Sequence, residues 1–147
     1  MAFQTLSVLV VVYADTSSEK AKCVIDVGIF SCGLAFVDSK LAEKAAQSLY
    51  PADTLANGIG DAFRHCFWSS LMTVHIGSDK AKKIADNHEL FGSNSVKEQN
   101  MDYYNNEIGR EIGRQILLSA IKPHEQTQVA QNKCSNAVTT EILQLAP

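Results

Sequence analysis

The sequence predicts an all-α protein, a compact single-domain bundle of five or six helices. Apolar residues recur at three- and four-residue spacing along most of the chain, and no convincing alternation of period two accompanies them. The 147 residues are enough for one domain with one core, and neither a repeat nor a linker divides them. Apolar residues make up 46% and charged residues 20% of the chain, which excludes disordered and low-complexity classes.

Residues 1–14 have the layout of a secretory signal peptide. This segment contains no charged side chain, carries an apolar run over residues 6–12, and ends in Val-Tyr-Ala, with small residues at the −3 and −1 positions. We therefore expect cleavage after Ala14, export, and a single helical domain over residues 15–147. The alternative is a buried N-terminal strand, because Val-Leu-Val-Val-Val has a high β propensity.

Capping residues and prolines divide the rest of the chain into helices. The predicted helices span residues 24–37, 40–49, 60–75, 78–90, 101–121 and 126–145. Asp38-Ser39 can cap the second helix, Pro51 ends it, and Gly77-Ser78 separates the third from the fourth. The first helix is expected to be buried. The third is apolar almost all round, so we expect it at the centre of the bundle.

Four cysteines follow the signal peptide, and an even number in an exported protein is compatible with two disulfides. No two of them have the C-x₂₋₄-C spacing of a zinc site. The pairing stays open, because four cysteines allow three connectivities. A bridge at Cys66 would brace the stretch richest in motifs. The four are Cys23, Cys32, Cys66 and Cys134.

The helix at 101–121 places polar groups on a face that is otherwise apolar. Three isoleucines spaced four residues apart define its core face, at about 100° per residue. Asn105 lies in the middle of that face and Asp102 near its edge, whereas Arg110 falls on the outer side. Two glycines open the same side to close approach by another helix, although each costs roughly 1 kcal/mol of helix stability.

Two other helices repeat this exception. In the helix at 60–75, Asp61 and His65 share a stripe with a tryptophan and a methionine, and in the helix at 78–90 His88 shares an apolar face with Glu89 on its flank. Burying such groups costs several kcal/mol unless they find partners, and the nearest candidates are one another. We therefore expect one polar cavity between three helices, lined by Asp61, His65, His88, Glu89, Asp102 and Asn105.

Three segments between residues 60 and 113 resemble a known family. They match the patterns D-A-x-R-H-x-x-W, H-E and M-D-x-x-N-N-x-x-G-R, in that order, of a poorly characterised domain of secreted and toxin-associated bacterial proteins. The resemblance implies an export-associated helical domain and little about its chemistry. The motif positions are Asp61, Arg64, His65, Trp68, His88, Glu89, Asp102, Asn105, Asn106 and Arg110.

The polar residues form a mixed nitrogen and oxygen ligand set of the kind that helical bundles use to hold metals. A divalent ion of zinc, manganese or magnesium type would activate water and polarise a phosphoester or lipid ester. The candidate ligands are Asp61, His65, His88, Asp102 and Asn105. The catalytic candidates are His65, Asp61, Glu89, Arg64 and Arg110. If no metal binds, His65 paired with Asp61 would act as a general base, and Arg64 or Arg110 would bind an anion.

The competing hypothesis is a non-enzymatic secreted binding or toxin-associated protein. In it, the surface binds a small molecule, a carbohydrate, a lipid or a protein, and a buried hydrogen-bond and ion-pair network fixes helix register. The members of that network are Asp61, Arg64, His65, Glu89, Asp102 and Arg110. The net charge of −3 offers no electrostatic footprint for nucleic acid. No apolar run is long enough for a membrane span. Serine-hydrolase, zincin and NTPase motifs do not occur in the sequence.

Overall fold

The protein is all-α, as the sequence predicts. A computed structural model describes residues 18–146, and within them the chain forms six α-helices, one short 3₁₀ turn and no strand. The expected signal peptide at 1–14 lies outside the described residues. None of the helices between residues 18 and 146 is long and apolar enough to span a bilayer. The elements are α1 (Glu19–Val27), α2 (Ile29–Leu49), the 3₁₀ turn (Ala52–Thr54), α3 (Ile59–Ile76), α4 (Ser78–Phe91), α5 (Val96–Leu118) and α6 (Pro123–Thr139).

Helix α3 occupies the centre of the bundle, as its apolar composition predicts. It contacts α2, α4, α5 and α6, and every residue from Gly60 to Thr73 except Arg64 is buried. Because neighbours surround this helix, its polar stripe faces protein and not bulk water. The largest fully buried side chains of α3 are Phe63, Phe67, Leu71 and Met72.

Helix α5 lies in direct backbone contact with α3 because two of its residues are glycines. A Cβ added at Gly109 would lie 2.2 Å from the carbonyl oxygen of Cys66, and one at Gly113 would lie 2.5 Å from the Cβ of Thr73. Any side chain at these positions would push the helices apart. This approach places Asp102, two turns before Gly109, beside the polar stripe of α3.

Two disulfides hold the bundle together. Cys23–Cys32 joins α1 to α2, and Cys66–Cys134 joins α3 to α6. This is one of the three connectivities that the sequence left open. Cys66 follows His65 directly, so the second bond braces α3 next to the polar stripe.

The predicted boundaries of the first two helices are wrong. The chain breaks at Gly28, which has a φ of +88°, and α2 then continues through Asp38 without interruption. Asp38 does not cap a helix, because its carboxylate is buried and lies 2.9 Å from His75 Nδ1 on α3. The region is also less buried than predicted, since Phe30 is 88% exposed.

The last two helices also differ from prediction at their ends. Helix α5 begins earlier, because Ser95 and Glu98 form a reciprocal capping box. Helix α6 begins at Pro123, a residue that is favourable in the first turn. It ends at Thr139, before the predicted end, and Glu141 then turns the chain with a φ of +56°.

Candidate metal centre

Asp61, His65 and Asp102 meet in one buried group between α3 and α5. His65 Nε2 lies 3.2 Å from Asp102 Oδ1 and 3.6 Å from Asp61 Oδ1. Asp61 and His65 share a face of α3 because they are four residues apart. Each of the three residues is at most 4% exposed, and one ligand atom of each lies within 4.8 Å of the others. This buried Asp-His-Asp group could hold a metal ion.

The spacing of these atoms resembles that of metal ligands. Bonds of about 2.1 Å to a common ion separate two ligand atoms by about 3.0 Å in octahedral and about 3.4 Å in tetrahedral geometry. The two separations from His65 Nε2, 3.2 and 3.6 Å, lie close to these values. Asp102 Oδ1 is buried and has no hydrogen-bond partner. An unpaired buried carboxylate oxygen is costly, and a bound cation would supply its missing partner.

Glu89 of α4 lies on the other side of the His65 ring. Its Oε1 is 3.6 Å from His65 Nδ1 and accepts a hydrogen bond from Asn106 Nδ2 at 3.4 Å. Asn106 is held in turn by the hydroxyl of Ser69, which donates to its side-chain oxygen at 2.9 Å. At 3.6 Å, Glu89 Oε1 and His65 Nδ1 are not hydrogen-bonded, and His65 Nδ1 is buried with no hydrogen-bond partner.

Burial determines the charge of these groups. It raises the pKa of Glu89 to about 8, with a further contribution from the charge of Asp102. Burial also raises the pKa of Asp102 to about 6, and the charge of Asp61 adds to that effect. The pKa of His65 is lowered to about 3, first by burial and then by the cation of Arg64. His65 is therefore neutral at pH 7, which is the form of imidazole that binds metals.

Arg64 is the cation of this group in the structure. Its Nη2 and Nε donate to Asp61 Oδ1, and Nη2 also lies 3.0 Å from His65 Nε2. A guanidinium can only donate, so His65 Nε2 must accept and the ring proton must be on Nδ1, facing Glu89. The side chain of Arg64 is 37% exposed, far more than those of Asp61 and His65.

Two predicted metal ligands have partners elsewhere. The ring of His88 lies 6.4 Å from that of His65, but its Nδ1 pairs with Glu19 of α1 at 2.9 Å. Asn105 exchanges two hydrogen bonds of 2.9 Å with the backbone of Gln144. The amide of Asn105 therefore holds the C-terminal segment against α5.

Arg110, predicted on the outer side of α5, is buried, so that part of the prediction is wrong. It is only 4% exposed, its Nη2 pairs with Glu107, and its Nη1 has no hydrogen-bond partner. Glu107 and Glu111, predicted on the same outer side of α5, are exposed. Among the predicted catalytic residues, His65, Asp61, Glu89 and Arg64 come together.

Two asparagines at the site were not among the predicted site residues. Asn57 has a φ of +63° just before α3, and its backbone N–H donates to Asp61 Oδ2 at 2.7 Å. It lies in a loop, where helical periodicity carries no signal. Asn106, the second, was marked only as a position in the M-D-x-x-N-N motif.

A family model described as a domain of unknown function, DUF6973, matches residues 24–142. This range includes all of α2 to α6 and every residue of the candidate metal centre. No solved structure matches the chain. Because the match covers most of the sequence, the chain belongs to the DUF6973 family, a poorly characterised domain family.

Proposed function

We propose that this protein is a secreted hydrolase that binds a divalent metal ion at Asp61, His65 and Asp102 and cleaves phosphoester or lipid ester bonds. The observation that carries the proposal is a buried imidazole nitrogen and two buried carboxylate oxygens that all lie within 4.8 Å of one another, with Asp102 Oδ1 unpaired. One imidazole with two carboxylates suits zinc or manganese, whereas magnesium prefers an all-oxygen set.

The chemistry would be metal-assisted addition of water. A bound ion lowers the pKa of its water and polarises the phosphoryl or carbonyl oxygen. The water oxygen bonds to phosphorus or carbon, the ester bond breaks, and the alcohol leaves with one hydrogen of the water. His65 and the two aspartates would hold the ion through Nε2 and one carboxylate oxygen each, and Glu89 Oε1 lies 3.6 Å from the other ring nitrogen, His65 Nδ1.

Secretion is supported by two features. All four cysteines are in disulfides, which persist in oxidising compartments, and residues 1–14 have the pattern of a signal peptide. Protein recovered from its native source should begin at Asp15. An intact Met1 on that protein would argue against export by this route.

Metal binding and activity are tested together on purified protein. Titration with Zn²⁺ and Mn²⁺ should show one bound ion per chain, and a panel of phosphoester and lipid ester substrates should show metal-dependent cleavage. His65→Ala should abolish both while the circular dichroism spectrum stays helical. The matched control is His124→Ala, at an exposed position on α6, which should behave as wild type. Absence of a bound ion in the wild type would refute the metal site.

The second candidate function is a non-enzymatic binding protein with a structural polar network. It is favoured by one observation, that Asp61 is already paired with Arg64 and with the backbone of Asn57. In that case His65→Ala would bind metal no differently from wild type and would instead destabilise the fold by a few kcal/mol.

A further inference from the structure

We propose that Arg64 is a resident cation that the metal ion displaces, and that its released guanidinium then binds the phosphate of the substrate. This inference rests on the proposed function and narrows its substrates to phosphoesters. Arg64 lies within hydrogen-bonding distance of two of the three candidate ligand atoms, Asp61 Oδ1 and His65 Nε2.

Arg64 and a metal ion exclude each other at His65. In the neutral ring, Nε2 has a single lone pair, and in the structure this lone pair faces Arg64 Nη2 at 3.0 Å. The same lone pair would have to coordinate the ion. Asp61 Oδ1 is engaged twice by the same guanidinium. Metal binding at these atoms therefore requires Arg64 to leave.

Arg64 can leave without disturbing the core. Its side chain is 37% exposed, whereas those of Asp61, His65 and Asp102 are at most 6% exposed. Its backbone lies in the second turn of α3 between buried residues, so only the side chain needs to rotate towards solvent. Departure of Arg64 without an incoming cation would leave buried carboxylates uncompensated, which is unfavourable. The exchange is therefore coupled to metal entry.

A released Arg64 remains tethered one residue from His65. A guanidinium offers two parallel donors that match the oxygens of a phosphate, and it keeps its charge at any physiological pH. Arg110, the other candidate anion-binding residue, is buried and paired with Glu107. Arg64 is thus the arginine placed to hold a phosphate beside a bound ion.

The first test is calorimetric titration of Arg64→Gln with Zn²⁺ or Mn²⁺ alone. While Arg64 occupies the ligand atoms, only a fraction of the protein can bind metal, and the apparent metal affinity is reduced by that fraction. Removing the guanidinium should therefore tighten metal binding by about tenfold. Arg64→Lys, which keeps the charge but lacks the fork, should fall between Gln and wild type. The matched control is Arg114→Gln, since Arg114 is 38% exposed and likewise pairs with an acid three residues earlier, Glu111. It should bind metal as wild type does.

The second test uses inorganic phosphate as the probe of metal-loaded protein. Wild type and Arg114→Gln should bind phosphate, and Arg64→Gln should bind it at least about tenfold more weakly. Metal affinity that is unchanged or weaker in Arg64→Gln would overturn the exchange while leaving the metal site standing. Phosphate affinity equal to that of wild type would overturn the role in substrate binding. If no variant binds metal, the proposed function fails, and this inference fails with it.

Discussion

Replacing Gly109 with alanine should force α5 away from α3. The added Cβ would lie 2.2 Å from the carbonyl oxygen of Cys66, 2.9 Å from its carbonyl carbon and 3.0 Å from the Cβ of Ser69. The nearest two atoms belong to the backbone of the central helix and cannot rotate away. Since ordinary contact begins at 3.4 Å, α5 must shift by about 1.2 Å at this point.

The size of the effect follows from two opposing contributions. Alanine is favoured over glycine in a helix by about 1 kcal/mol, whereas overpacking a close contact costs about 1–3 kcal/mol and occasionally more. Because the obstacle is backbone, we take the upper end and expect a net loss of about 2 kcal/mol. Gly33→Ala on α2 is the control, since its Cβ would meet nothing within 4 Å. It should stabilise the protein by about 1 kcal/mol.

Urea unfolding followed by circular dichroism, with the disulfides intact, measures both variants. The two midpoints should move in opposite directions from wild type at unchanged slope, which separates a stability effect from a change in compactness. Gly109→Ala should also bind metal more weakly, because Asp102 lies two turns away on the shifted helix. If Gly109→Ala were as stable as Gly33→Ala, α3 and α5 would not make the backbone contact described above.

Two further predictions concern pH and the disulfides. The pKa of Glu89 is about 4.5 in the unfolded chain and about 8 in the folded protein. The free energy of unfolding therefore has its full value from this group below pH 4.5 and decreases as pH rises towards 8. Glu89→Gln should therefore flatten the pH dependence of the unfolding free energy between pH 4.5 and 8, and a profile as steep as that of wild type would contradict the assignment. Replacing both cysteines of Cys66–Cys134 by alanine should cost about 4.4 kcal/mol by loop entropy, against about 2.6 kcal/mol for Cys23–Cys32, because the bridged separations are 68 and 9 residues. Thermal unfolding of the two double variants checks this order, which an equal loss would refute.

Helical periodicity predicted much of the candidate site because it is a local property. The central position of α3 followed from its apolar composition, and the placement of Asp61 and His65 on one buried stripe followed from their spacing. Asp102 was placed at the edge of a core face and is buried. By contrast, the S-x-x-E capping box of α5 is a sequence signal that periodicity overlooked, because its residues are polar.

Helical periodicity could not predict which groups the polar side chains would contact. A helical wheel gives a direction from one axis but does not identify the element that lies there. Thus His88 faces Glu19 of a helix distant in sequence, and Asn105 faces the backbone of Gln144. Arg110 falls on the side of the helical wheel opposite the isoleucines and is buried nonetheless.

The sequence by itself determined the all-helical class, the central helix and the inward direction of the Asp-His stripe, because these depend on spacing along one helix. Only the tertiary structure decided which groups meet. The close contact at Gly109 brings Asp102 to His65, the packing of α4 presents Glu89 to the ring, and the nearest available cation is Arg64. These contacts depend on distances of a few ångströms between segments that are far apart in the chain. A buried polar group must be paired, and the packing of the helices determines which partner lies close enough.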